Sequence, residues 1–201
     1  MINIDINSYP RSGNNFAKRT CERYLNDSTF SVFHEIQKIG GKQITIFRDP
    51  AECVASNAYR FAVPNKHVQQ KHGKILLNQT SDFYLREYVA LNLRHYNQWI
   101  QYLGRLKNAM IVDFKVMSQD PKKFIADVSN FFSLETNDRF TSEDIKKTMD
   151  ELMKTHHKEF YPRQGDDIRE KINRFVLEDA EFEKTQKKYL EISYTSNIVV
   201  N

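Results

Sequence analysis

Ile2, Ile4 and Ile6 alternate with polar residues, and the alternation stops at Tyr9-Pro10-Arg11-Ser12-Gly13-Asn14-Asn15. A period of two predicts a strand, and Pro and Gly inside a short polar run predict a tight loop. From Asn14 onward Phe16, Ala17, Thr20, Cys21, Tyr24 and Leu25 recur at helical spacing, so the chain opens strand–loop–helix. Thr29 to Phe33 and Gln43 to Arg48 are further β-rich runs. Asp49-Pro50 then starts a helix through about Arg60, with Asp49 as N-cap and Pro50 at the first helical position. Residues 62 to 80 hold Pro64, Gly73 and few periodic apolar positions, which predicts a loop.

Tyr84, Tyr88, Leu91, His95, Trp99 and Tyr102 mark a helix from about Ser81 to Gly104, and its tyrosines read mainly as core. Ala109 to Val112 is a short apolar run, hence a buried strand. Asp120-Pro121 opens a helix with Phe124, Val128, Phe131 and Phe132 on one face. Thr141 or Ser142 caps a helix from Asp144 to His157, Phe160 to Gly165 reads as a loop, and a last helix is expected from about Leu177 to Leu190. The final nine residues, Ser193 to Asn201, fit a loose tail or an added edge strand. Strands alternating with helices predict an α/β, three-layer fold: a central, mostly parallel sheet covered on both faces, in one domain over residues 1–201.

Composition narrows the class. With 40% hydrophobic and 28% charged residues, the chain can bury a core, which excludes a disordered tail or fibrous repeat. No charge-free run approaches the roughly 20 apolar residues of a membrane helix, and Met1 to Asp5 does not resemble a secretory signal. Cys21 and Cys53 are too few for a disulfide framework and have no zinc-ligand spacing. The expectation is a soluble, reduced, cytoplasmic protein with buried thiols. Thirty basic against 26 acidic residues leave a net charge of +4, which permits an anionic partner without a nucleic-acid stripe. The most basic stretch, Lys66 to Lys74, lies in the 62–80 loop.

The candidate chemistry begins in the first loop. The helix that follows a strand–loop presents unpaired amides and a partial positive charge, which together hold a phosphate. Gly13 lets backbone approach closely, and Arg11 adds a full charge. Gly13 is followed by Asn14-Asn15 rather than Lys-[Ser/Thr], so the magnesium-holding hydroxyl of a metal-dependent kinase is missing.

Tyr9-Pro10-Arg11-Ser12-Gly13-Asn14-Asn15-Phe16 resembles the Tyr-Pro-[Lys/Arg]-Ser-Gly-Thr-Thr-Trp loop of sulfotransferases that use 3′-phosphoadenosine 5′-phosphosulfate (PAPS). Further on, Arg48-Asp49-Pro50-Ala51-Glu52-Cys53-Val54-Ala55-Ser56 is similar to that family's Arg-[Asn/Asp]-Pro-x-Asp-x-x-x-Ser. His95-x-x-x-Trp99, Phe114 to Pro121 and Arg163-Gln164-Gly165 are similar to its later segments. The resemblance covers about residues 2 to 165 and implies a P-loop-like fold and sulfuryl transfer to a hydroxyl or amine. The acceptor would be a small molecule or a glycan, with no metal, no nucleic acid and no membrane involved. It implies that Ser12, Gly13, Asn14, Asn15 and Arg11 hold the 5′-phosphosulfate, with Arg11 also catalytic. Arg48, Ser56, Arg163 and Gly165 would hold the 3′-phosphate, and Phe16 would pack on adenine.

In the family a Lys-Thr-His segment before the second motif supplies the base, and His34 fits that place without the lysine and threonine. His34 is accordingly the expected general base, with Glu35 the rival. Asn14-Asn15 for Thr-Thr, Glu52 for Asp, and Lys115-Val116 for an acidic pair are departures. They leave open a protein that binds the nucleotide without transferring sulfate and, more remotely, a P-loop kinase. Oligomeric state is not legible.

Overall fold

A computed structural model describes residues 2–36, 42–63, 79–137, 166–195, 199–200 and, between 141 and 151, all but 142, 146 and 149. The elements run β1 (Ile2–Asn7), α1 (Asn14–Tyr24), β2 (Ser28–Phe33), β3 (Gln43–Phe47), α2 (Pro50–Ala62), α3 (Asp82–Leu103), β4 (Ala109–Asp113), α4 (Phe114–Gln119), α5 (Pro121–Phe132), α6 (Asp166–Glu178), α7 (Phe182–Thr195) and β5 (Val199–Val200). The sheet order is β2-β1-β3-β4-β5; the first four strands are parallel, and β5 is antiparallel to β4. The end of the chain thus supplies the added edge strand.

Alternation along the central strands divides the interior into two cores. Ile4, Ile6, Ile44, Ile46, Met110 and Val112 face α1 and α5 through Ala17, Cys21, Phe124 and Val128. Phe47, Ala109 and Ile111 pack with residues of α2, α3 and α6, among them Val54, Leu93, Trp99 and Phe175. Near-continuous burial of β3 and β4 is what a parallel sheet covered on both faces requires.

Capping follows the sequence. Asp49 Oδ1 accepts from the Ala51 amide at 2.8 Å, with Pro50 behind it. Asp120 Oδ1 accepts from the Lys123 amide at 2.9 Å. Thr141 and Asp144 form a reciprocal box, Asp144 N to Thr141 Oγ1 at 3.2 Å and Thr141 N to Asp144 Oδ2 at 3.1 Å.

The single helix expected from Leu177 to Leu190 is two, α6 and α7, broken at Asp179–Glu181. There Asp179 Oδ1 accepts from the Glu181 amide at 2.9 Å. Leu177 and Leu190 are 63% and 43% exposed, so the apolar residues that suggested one helix are not the ones that pack. The buried positions are Ile172, Phe175, Val176 and Tyr189. Tyr84 likewise lies at the surface, edge-on to exposed Phe83, whereas Tyr88 and Tyr102 are core. Cys21 and Cys53 are buried free thiols, and burial pushes both pKa values up.

Candidate functional site

The site is built on the carboxyl ends of β1 and β3, where an open parallel sheet carries its ligands. β1 turns away after Asn7, and Ser8 carries on its ladder with a side chain: Ser8 Oγ accepts from the Ile46 amide at 2.7 Å. Asn7, fully buried, exchanges bonds with the backbone of Glu35, donating to its carbonyl at 2.8 Å and accepting from its amide at 3.0 Å. Tyr9 anchors the loop on α3. Its hydroxyl donates to Asn92 Oδ1 at 2.9 Å, and its ring meets His95 and Tyr96 at 5.3 and 5.1 Å.

Two left-handed residues shape the turn, Arg11 at φ 72° and Gly13 at φ 103°. A side chain at Gly13 would run into the Phe114 ring, so the position needs both the conformation and the space of glycine. Gly13 is also the N-cap of α1 and places no side chain on the helix amides. Around that end Ser12 Oγ and Asn14 Oδ1 are buried without a hydrogen-bond partner. The Ser12 hydroxyl beside the amino end of α1 is a donor of the kind an anion site needs, whereas Asn14 Oδ1 is an acceptor. Asn15 points outward, and Phe16 is buried with its ring 6.1 Å from that of Phe114.

The second motif meets the first. Arg11 Nε donates to Ser56 Oγ at 3.0 Å. Arg48 leaves the end of β3, donates from Nε to Glu52 Oε2 at 2.6 Å, and lies 4.6 Å from the centre of the Phe114 ring. Its carbonyl accepts from Tyr96 at 2.7 Å, which ties the strand end to α3. Phe114 therefore backs Gly13, Phe16 and Arg48 together. Sequence reading placed Phe114 within a similar segment but gave it no role; its position directly after β4 was the available signal.

His34 follows β2 and is exposed. Its Nδ1 is 2.7 Å from the Ser8 carbonyl and 3.5 Å from Asn14 Nδ2. A carbonyl only accepts, so the short contact assigns the proton to Nδ1 and the lone pair to Nε2. His95 is half-buried and accepts at Nε2 from Trp99 Nε1 at 3.3 Å; burial first, and the charge of His34 second, lower its pKa. Glu35 is engaged here through its backbone. Arg163, Gly165 and the basic stretch Lys66 to Lys74 lie outside the described residues. Among the described residues, no cluster of three or more His, Cys, Asp or Glu is arranged to hold a metal, and no helix is long and apolar enough to cross a membrane.

A parallel sheet, a glycine-capped loop opening onto the first helix and an arginine at the next strand end define an α/β nucleotide-binding fold of the P-loop-like kind. A sulfotransferase domain model matches residues 34–193, and the chain belongs to that family. The matched span starts at His34 and leaves the Tyr9–Phe16 loop outside it. Among solved structures, the chain is similar to mouse sulfotransferase SULT7A1 complexed with PAP, with a TM-score of 0.55 and 13% identity over 94% of this chain and 88% of that one. At that identity the likeness speaks for the fold. No curated protein matches the sequence. The family, the three-layer α/β fold and the enzyme class read from the sequence are borne out.

Proposed function

We propose that the chain, as one domain over residues 1–201, transfers a sulfuryl group from PAPS to a hydroxyl or amine acceptor, with His34 as general base. The observation that carries this reading is the His34 tautomer. Nδ1–H is committed to the Ser8 carbonyl at 2.7 Å, which leaves Nε2 as the basic atom beside the anion loop. The donor supplies an activated sulfuryl group on a phosphate. His34 Nε2 takes the acceptor's proton as the acceptor oxygen or nitrogen bonds to sulfur. Arg11 faces the oxygen that keeps the electron pair when the bond from sulfur to the nucleotide phosphate breaks.

The loop fits the donor's anionic end. With its amide turned over, Asn14 would direct its NH2 away from His34 and offer it to a phosphate oxygen, and no acceptor would be left orphaned at that place. Ser12 Oγ, Gly13 and the amides of Asn14 and Asn15 complete that cradle. Arg48 and Ser56, with Arg163 and Gly165, would hold the 3′-phosphate, and Phe16 backed by Phe114 would lie against the base. The acceptor, a small molecule or glycan, would approach on the His34 side. We place the protein in the cytoplasm and assign it no metal.

The test is thermal stability with 3′-phosphoadenosine 5′-phosphate, against ADP with magnesium, for wild type and Arg48→Ala. A ligand at about 100 times its dissociation constant stabilises by roughly 2.7 kcal/mol. A shift with the 3′-phosphorylated nucleotide alone, lost in Arg48→Ala, is expected; no shift in wild type defeats the reading.

A further inference from the structure

One face of α2 is set apart from the rest. Cys53, Val54, Ala55, Asn57, Ala58 and Tyr59 are buried, whereas Glu52 is exposed and Ser56 and Arg60 are half-buried. Residues four apart share a helix face, so Glu52, Ser56 and Arg60 form one stripe. Each step of that stripe meets a guanidinium. At Glu52 it is Arg48, paired at 2.6 Å; at Ser56 it is Arg11, bonded at 3.0 Å. At the third step the stripe supplies its own, Arg60, and this one has no hydrogen bond or ion pair to any described residue.

Arg60 nonetheless stands one helical turn beyond Ser56, the residue that Arg11 bonds. Burial, and after it the Arg11 charge, lower its pKa. A half-buried guanidinium one turn from the contact point of a second, and itself paired with no carboxylate among the described residues, is an arrangement that an anion would relieve. The direction of α2 decides which anion. Arg48 stands at the amino end of the helix, Ser56 and Arg11 follow, and Arg60 lies a further turn on, about 6 Å past Ser56 along the axis. On the proposed reading the nucleotide's two ends occupy Arg48 and the Arg11 loop. Arg60 is then on the far side of the transferred group, where the acceptor must stand, and it directly precedes the 62–80 segment.

We propose that Arg60 anchors an oxyanion of the acceptor, so that the preferred acceptor carries a carboxylate, sulfate or phosphate near the reacting hydroxyl or amine. This rests on the sulfuryl-transfer reading and adds the acceptor's charge to it. None of the motif matches involves position 60.

The full chain is saturated with 3′-phosphoadenosine 5′-phosphate and titrated calorimetrically with two pairs of probes. One is 4-hydroxyphenylacetate against 4-hydroxyphenylacetamide; the other is methyl glucuronide against methyl glucoside. The wild type is expected to prefer the carboxylate member of at least one pair by about tenfold, the size of a charge-assisted contact. In Arg60→Gln the preference should fall to about twofold or less, and Arg60→Lys should keep part of it. Affinity for the nucleotide should stay within about twofold in both variants, which also reports that they are folded. No preference in either pair, or a preference that survives Arg60→Gln, overturns the proposal while leaving the transfer reading intact. A tenfold loss of nucleotide affinity in Arg60→Gln also overturns it, by making Arg60 a donor ligand. Absence of nucleotide binding in wild type defeats the transfer reading first, and this proposal with it.

Discussion

Arg11 Nε and Ser56 Oγ lie 3.0 Å apart, joining the first loop to the second turn of α2 across 45 positions of sequence. Arg11 makes the contact from the left-handed region, at φ 72°, a conformation that costs a non-glycine residue energy. The two motifs that point to the donor are therefore one constellation, assembled because β1 and β3 are neighbours in the sheet.

Gly13→Ala should be damaging out of proportion to one methyl group. It incurs about 1–2 kcal/mol for the left-handed conformation and adds a collision with Phe114. Thermal unfolding should show a fall of several degrees. Adding Phe114→Ala to Gly13→Ala should recover the part due to the collision, so the double variant loses less than the sum of the singles; strict additivity would count against the contact.

If Arg48 holds a nucleotide phosphate as proposed, Glu52 competes with that phosphate for it. The pair is substantially exposed, with side chains 29% and 57% accessible, so breaking it costs little stability. Glu52→Gln should leave Tm almost unchanged and tighten binding of 3′-phosphoadenosine 5′-phosphate by roughly two- to fivefold. Weaker binding in a titration would mean that Glu52 holds Arg48 in its binding pose.

His34→Ala should lower kcat by a factor on the order of 10² to 10⁴, the range for a lost general base. Nucleotide affinity should be nearly unaffected, since the loop is also held by Tyr9 on Asn92 and Ser8 on Ile46. Steady-state kinetics alongside nucleotide binding separates the two. Unchanged kcat would transfer the role to another group, with Glu35 the first to test.

His95 gives stability an acid-side slope. Its folded pKa lies below the ordinary value of 6.5, chiefly through burial and then through the charge of His34. The unfolded chain therefore binds the proton more readily, and the stability tied to neutral His95 is complete above about pH 6.5 and lost as pH falls below it. His95→Gln should flatten Tm between about pH 7 and pH 5. A parallel curve for the variant would remove His95 as the source.

Much of this was legible because local and global signals agreed. Alternating isoleucines, Asp-Pro helix starts and the glycine loop each follow from nearest-neighbour chemistry and fix β1, α1, α2 and α5. What stayed hidden depended on which side of a helix finds a partner. Leu177 and Leu190 look like core residues, yet the α6 side that packs carries Ile172, Phe175 and Val176. Phe114 acquires its importance only because β4 ends beside Gly13 and Arg48. The third guanidinium on the α2 stripe was equally invisible, since Arg60 gains its meaning from Arg11 in another segment.

The last helix reads the strand ends from outside. Gln186 donates to Asp49 Oδ2 at 3.0 Å, and Tyr189 and Ser193 donate to Asp113 Oδ2 at 2.9 and 2.6 Å. Those two carboxylates are also the caps of α2 and α4, so the starts of these helices are held partly by residues the ribosome adds 76 to 137 positions later. Contacts of such long range tend to form late in folding. A nascent chain or proteolytic fragment that stops short of Gln186 would contain the glycine loop, both arginines and His34, and yet lack the bonds from the last helix to the caps of α2 and α4.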